Sequence, residues 1–132
     1  MKISAKVSSS FNQQSVSVKT GDSEKTLTIP VKSTGYGSGI NGGEFVALAL
    51  ATCYCNDICR EAAKRNLKVS HVEVETNSEF GKDGEPGFNF SYSVKIEGDS
   101  DREVLNDLIK HTDAMAEIQN TLRKGAEVKL MS

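Results

Sequence analysis

The sequence predicts an α+β fold, an antiparallel sandwich with element order βββ-α-ββ-α-β, and three observations carry that prediction. Apolar residues alternate with polar ones near the N-terminus, as they do in half-buried strands. Two later stretches repeat their apolar residues at helical three- and four-residue steps, and alternation returns between and after them. Strands grouped before and between two helices describe helices laid on antiparallel sheet.

The first strand carries Ile3, Ala5 and Val7 on one face, the second Val16 and Val18, and the third Leu27, Ile29 and Val31. Thr20-Gly21-Asp22-Ser23 marks a hairpin turn. Pro30 puts the third run at a sheet edge or strand end, because proline donates nothing to a ladder. Ser33 to Gly43 then holds five glycines in eleven residues, a loop of wide backbone freedom. No Gly-Lys-Ser/Thr closes it and no dinucleotide fingerprint fits it, so it is not read as a phosphate cradle.

A long helix is expected from Glu44 to about Asn66, with the Glu44 carboxylate favoured in its first turn. Phe45 to Ala51 is apolar on every side, which describes a helix segment buried all round. Val72 and Val74 alternate in the next strand and Phe88, Phe90, Tyr92, Val94 and Ile96 in its partner, joined by the turn Gly81 to Gly87. Ser100-Asp101-Arg102-Glu103 spells a capping box. The helix it opens is expected to carry Val104, Leu108, His111, Met115, Ile118 and Leu122 as far as Gly125, with a short last strand from Ala126 to Met131.

One domain, 1–132, accounts for this length, and no linker, repeat or composition shift divides it. A hydrophobic fraction of 37% with 26% charged residues is ordinary for a globular chain and wrong for a disordered one. The net charge of −2 lacks the basic surplus of a nucleic-acid binder. No run approaches the roughly 20 apolar residues of a membrane span, and the first residues lack a signal-peptide core, so a cytoplasmic location with no membrane partner is expected. The three cysteines, Cys53, Cys55 and Cys59, are odd in number and clustered, unlike a disulfide framework.

Cys53 is the sharpest chemical feature, on the long helix beyond the glycine loop. A thiol becomes reactive where its thiolate is favoured, although more than two turns separate it from the helix start. Free cysteine is also among the most buried residue types, so packing is the bland alternative. Cys55 and Cys59 share a helix face, while Cys53 points about 200° away from Cys55. Only His111, Asp113 or His71 could complete a zinc set with them, and no metal is expected. His111 on the second helix reads either as a hydrogen-bonded core residue or as a partner facing Cys53 and tuning its proton affinity.

The run Gly39-Ile40-Asn41-Gly42-Gly43-Glu44-Phe45-Val46-Ala47-Leu48-Ala49-Leu50-Ala51-Thr52-Cys53 resembles the signature of the OsmC/Ohr family, the osmotically inducible and organic hydroperoxide resistance proteins. The stretch Arg65 to Val74, the hairpin and the closing Gly125 to Leu130 are similar as well. The resemblance implies an OsmC-like sandwich assembled as an intertwined homodimer around a buried central helix, with active sites at the subunit interface. It implies a peroxidatic thiol at Cys53, with Glu44 as its nearest carboxylate, His111 as a possible cross-helix partner, and no cofactor. The family's second cysteine falls at Ala114, in His111-Thr112-Asp113-Ala114-Met115, and its N-terminal arginine has no counterpart, since the first arginine is Arg60. Cys55, Cys59 or an external thiol would then resolve a sulfenic acid at Cys53. The resemblance thus implies a thiol redox protein related to hydroperoxide reductases, or a non-peroxidatic relative binding a small apolar ligand at the dimer interface against the helix start, Phe88 and Phe90.

Overall fold

The computed structural model describes residues 1–132, which pack as two compact units, Met1–Phe45 and Val46–Ser132. In the first unit β1 (Ile3–Ser10), β2 (Gln13–Thr20) and β3 (Ser23–Leu27) form an antiparallel sheet in that order. Val7 pairs with Val16 and Val16 with Leu27, so the alternating apolar residues fall in rows on one face. Gly21 opens the second hairpin turn at φ +55°, a backbone that glycine takes without strain. The third strand ends at Leu27 rather than reaching Val31; Pro30 cannot donate to the ladder, and Val31 makes only an isolated bridge to Ser38. Val16 is buried, whereas Ile3, Val7, Phe11 and Leu27 stay exposed.

Helix α1 (Gly42–Lys64) begins with a reciprocal cap. The Glu44 backbone N–H donates to Asn41 Oδ1 at 2.8 Å, and the Asn41 N–H donates to Glu44 Oε1 at 3.0 Å. In the second unit α1 buries one stripe, Leu50, Tyr54, Asp57, Ile58, Glu61 and Ala62, at three- and four-residue steps. The helix is therefore not buried all round: Phe45, Val46, Ala47 and Ala49 are half-buried and Leu48 is 56% exposed. The other elements of the second unit cover one face of it.

That face meets the hairpin β4 (Val69–Glu79) and β5 (Phe88–Gly98), in which Val72 pairs with Ile96, Val74 with Val94 and Thr76 with Tyr92. Tyr54, Ile58 and Ala62 join Ile96, Leu105, Leu108 and Ala116 in one core, with Val72, Val74, Tyr92 and Val94 packed against it. Leu105 and Leu108 come from α2 (Arg102–Met115), which starts at Asp101 without a side-chain cap, so the expected capping box is not formed.

The second predicted helix is two. Ala116 adopts φ −75°, ψ 108°, an extended backbone that stops α2 and starts α3 (Glu117–Lys124). Gly125, at φ +73°, closes α3 by donating to the carbonyls of Thr121 and Leu122. The residues after it do not form the expected last strand: no backbone of this chain pairs with them, and Val128 and Leu130 are exposed. The order is accordingly βββ-α-ββ-α-α. No helix is long and apolar enough to cross a membrane.

Candidate functional site

The helical period places Cys53, Asp57 and Arg60 on one face of α1, four and three residues apart. The break at Ala116 brings the first turn of α3 onto the same face. Cys53 Sγ lies 3.3 Å from Asp57 Oδ2 and 3.7 Å from Glu117 Oε2. Arg60 Nη1 donates to Asp57 Oδ1 and to Glu117 Oε1, both at 3.0 Å, and so joins the two carboxylates that flank the thiol.

These neighbours set the thiol's proton affinity. Burial raises the Cys53 pKa first, and the hydrogen bond to Asp57 with the negative charges of Asp57 and Glu117 raises it further. The Ile118 backbone N–H, in the first turn of α3, opposes them, but the sum keeps the thiol protonated above its ordinary range. Burial and the bond to Glu117 raise the Asp57 carboxyl, whereas the bond from Asp57 lowers that of Glu117. The two carboxyls therefore behave as a pair in which Asp57 holds the proton longer.

A second network continues along α1. Glu61, 2% exposed, accepts from Arg60 Nε at 2.8 Å and Lys64 Nζ at 2.9 Å, and its other oxygen meets His111 Nε2 at 2.8 Å. Arg60, Lys64 and His111 hold the Glu61 carboxyl down at about 2. His111 thus faces Glu61 rather than Cys53, about two turns further along α1, and it is not among the groups that move the Cys53 proton.

Glu44 is not drawn to the thiol either. Its carboxylate closes the cap on Asn41, nine positions and about 13 Å of helix rise before Cys53. The carboxylates at the thiol are Asp57 and Glu117. Cys55 and Cys59 are free thiols, burial and then the neighbouring Cys59 raise the Cys55 pKa, and the unbroken helix turns both away from the Cys53 face.

Cys53, Asp57 and Glu117 hold their donor atoms within 4.8 Å of one another, a spacing that a metal ion could bridge. The Arg60 guanidinium already supplies the positive charge between the carboxylates. Asp57, Arg60 and Glu117 are the residues that reading the sequence missed. The Cys53-x3-Asp57-x2-Arg60 spacing was available as a signal for the first two. Nothing comparable signals Glu117, because its position depends on the break at Ala116.

Elsewhere in the second unit, Leu50, Phe90, Tyr92 and Leu122 wall a cavity of about 220 Å³, with Ser91, Gln119 and Arg123 completing its lining. Arg123 Nη2 donates to Asp113 Oδ1 at 2.7 Å, and the Tyr92 hydroxyl donates to the same oxygen. Burial pushes the Asp113 carboxyl up, but the Tyr92 and Arg123 bonds outweigh it and hold the carboxyl below its ordinary value.

The family model of the OsmC-like protein matches residues 35–131. Among solved structures, an OsmC-like protein from Mycoplasma pneumoniae superposes with a TM-score of 0.63 at 16% identity, covering 97% of this chain and 90% of that one. An organic hydroperoxide resistance protein from Elizabethkingia anophelis, with thiocyanate bound, gives 0.61 at 21% identity over 98% and 94% of the two chains. The organic hydroperoxide resistance protein OhrB of Bacillus subtilis gives 0.55 at 19% identity over 96% of each. No curated protein sequence matches this one.

Proposed function

The chain belongs to the OsmC-like protein family, and from that premise we propose that it is a thiol-dependent reductase of organic hydroperoxides with Cys53 as nucleophile. The observation that carries this reading is the Cys53 thiol within hydrogen-bond range of the Asp57–Glu117 pair, with Arg60 holding both carboxylates. A protonated thiol is a poor nucleophile, so an adjacent base must take its proton as the peroxide arrives. Asp57, touching the sulfur and raised in proton affinity, is suited to that role.

The sulfur attacks the terminal oxygen of R–O–O–H; an S–O bond forms and the O–O bond breaks. Asp57 returns the proton to the departing alkoxide, so Cys53 becomes a sulfenic acid, ROH leaves, and the peroxide has been reduced by two electrons. An external thiol then displaces water to form a mixed disulfide, and a second thiol releases Cys53 as S–H with a free disulfide. Ala114 stands where the family's second cysteine would, and Cys55 and Cys59 point elsewhere, which favours the external reductant.

The exposed apolar residues Ile3, Val7 and Leu27 of the sheet, and Leu48 on α1, support a homodimer in which a second copy covers them. Light scattering at micromolar concentration tests this, with twice the chain mass expected and a single-chain mass refuting it. For the activity, cumene hydroperoxide with a small dithiol should be consumed by the native protein and not by Cys53→Ser. A native rate equal to the protein-free control refutes it.

The apolar cavity between Leu50, Phe90, Tyr92 and Leu122 supports a second reading, a non-peroxidatic protein that binds a small apolar ligand. Absent turnover together with saturable binding of such a ligand would select it.

A further inference from the structure

We infer that Cys55 and Cys59 together form a site for one soft metal ion of the monovalent-copper class, held between two sulfurs on the face of α1 turned away from Cys53. The pair is four residues apart on an unbroken helix, so the two are neighbours on one face with Cβ atoms about 5–6 Å apart. Both are free thiols, and they stand close enough for the charge of Cys59 to act on Cys55. A disulfide needs Cβ atoms about 3.5–4.5 Å apart, so the intact helix holds the pair too wide to close on itself. A metal ion removes that mismatch. Two sulfur–metal bonds of about 2.3 Å let the sulfurs stand up to about 4.6 Å apart.

The surroundings choose the ion. Three His, Cys, Asp or Glu donors come within 4.8 Å of one another around Cys53, Asp57 and Glu117 and nowhere else in the chain. No third such donor therefore completes a set with Cys55 and Cys59, and zinc, which takes four ligands, would be left half-coordinated. Thiolates select monovalent copper, and two sulfurs in line satisfy that ion without a third ligand. Cys55 is half-buried and Cys59 exposed, and Cys59 opens on a surface cavity of about 480 Å³ beside Ala62, Ala63, Leu67 and Val69, which gives the ion an entry. Asp99 lines the same cavity without completing a three-donor group. On binding, each thiol gives its proton to solvent and the ion keeps its oxidation state, so nothing is oxidised or reduced.

The test titrates monovalent copper into the reduced native protein without oxygen, in competition with a chromogenic copper(I) chelator. Leu48 lies on the same face two turns earlier, so the protein is used in its native assembly. One ion per chain is expected, and the same in Cys53→Ser, whereas Cys55→Ser and Cys59→Ser should each leave the copper with the chelator while keeping the native circular dichroism spectrum. On the native chain, where no variant is needed, the bound ion should protect Cys55 and Cys59 from iodoacetamide, read by peptide mass, and equimolar zinc should not. Copper left with the chelator by the native chain, binding lost in Cys53→Ser or kept in either other variant, or one ion per two chains overturns the inference. So does protection of the pair by zinc, or its absence with copper. No peroxide is present, so the outcome is independent of turnover at Cys53.

Discussion

Replacing Glu44 separates the two roles open to it, helix cap and catalytic carboxylate. Glu44 Oε1 accepts from the Asn41 N–H at 3.0 Å, and the Glu44 N–H donates to Asn41 Oδ1 at 2.8 Å. In Glu44→Ala the first of these bonds is lost, with the favourable charge at the start of α1. A capping bond at an exposed helix end is worth about 0.5–1 kcal/mol and the dipole term a few tenths, so the expected loss is about 1 kcal/mol. For a chain of this size that lowers the melting temperature by roughly 3–5 °C. Glu44→Gln keeps an oxygen able to accept and should lose only the charge term, about 0.3 kcal/mol, because glutamine also closes a capping box. Both variants should retain the hydroperoxide turnover of the native protein once folded, because the bases at the thiol are Asp57 and Glu117. Circular dichroism melts and turnover with cumene hydroperoxide measure the two quantities. A Glu44→Gln protein with native stability and no turnover refutes the assignment, since that outcome requires its negative charge in the chemistry.

Asp57→Asn removes a negative charge that favours the protonated thiol, so alkylation of Cys53 by iodoacetamide near pH 7 should be faster than in the native chain, while turnover falls for want of a base. Unchanged alkylation would show that Asp57 does not set the thiol's proton affinity. Leu108→Ala empties a fully buried position between α1 and the hairpin and should cost about 2–5 kcal/mol in urea unfolding; a loss under 1 kcal/mol would mean the core closes over the gap. The Glu61 carboxyl lies below its ordinary value of 4.5, at about 2, so folding draws on its ionised form. That contribution is fully present above pH 4.5 and is lost as pH falls toward 2. Glu61→Gln should therefore flatten the acid side of the stability profile between those values, and a profile as steep as the native one counts against the network with Arg60, Lys64 and His111.

The parts of the fold with strong periodicity were legible in the sequence. The extent of α1, the β4–β5 hairpin and the stop at Gly125 each follow from spacing or from a residue with one conformational use. The break at Ala116 was not legible, because Met115, Ala116 and Glu117 are all ordinary helix formers and the apolar spacing from Val104 to Leu122 runs straight through them. Local preference there yields to packing: Ala116 is fully buried in the core, and its extended backbone turns the chain so that Gln119 reaches the Leu50 carbonyl. The last segment fails for the converse reason. Val128 and Leu130 alternate as in a strand, but a strand exists only where another backbone completes its ladder.

The same break explains why the site was half visible. Cys53, Asp57 and Arg60 belong to one continuous helix, so their common face is a property of spacing. Glu117 and the Ile118 N–H belong to a new helix start, and a start is where backbone donors point outward unpaired. A single uninterrupted helix would have spent the Ile118 N–H on the carbonyl four residues before it. Ending α2 at Met115 frees that donor for the sulfur and places the Glu117 carboxylate against Arg60. The thiol consequently feels one group that favours its anion and two carboxylates that favour its acid. The sum leaves the thiol protonated at rest, with the Asp57 carboxyl in contact with it. The Ile118 N–H is thus the one neighbour that favours the sulfur's anion, and Arg60 joins and fixes the two carboxylates rather than touching the thiol itself.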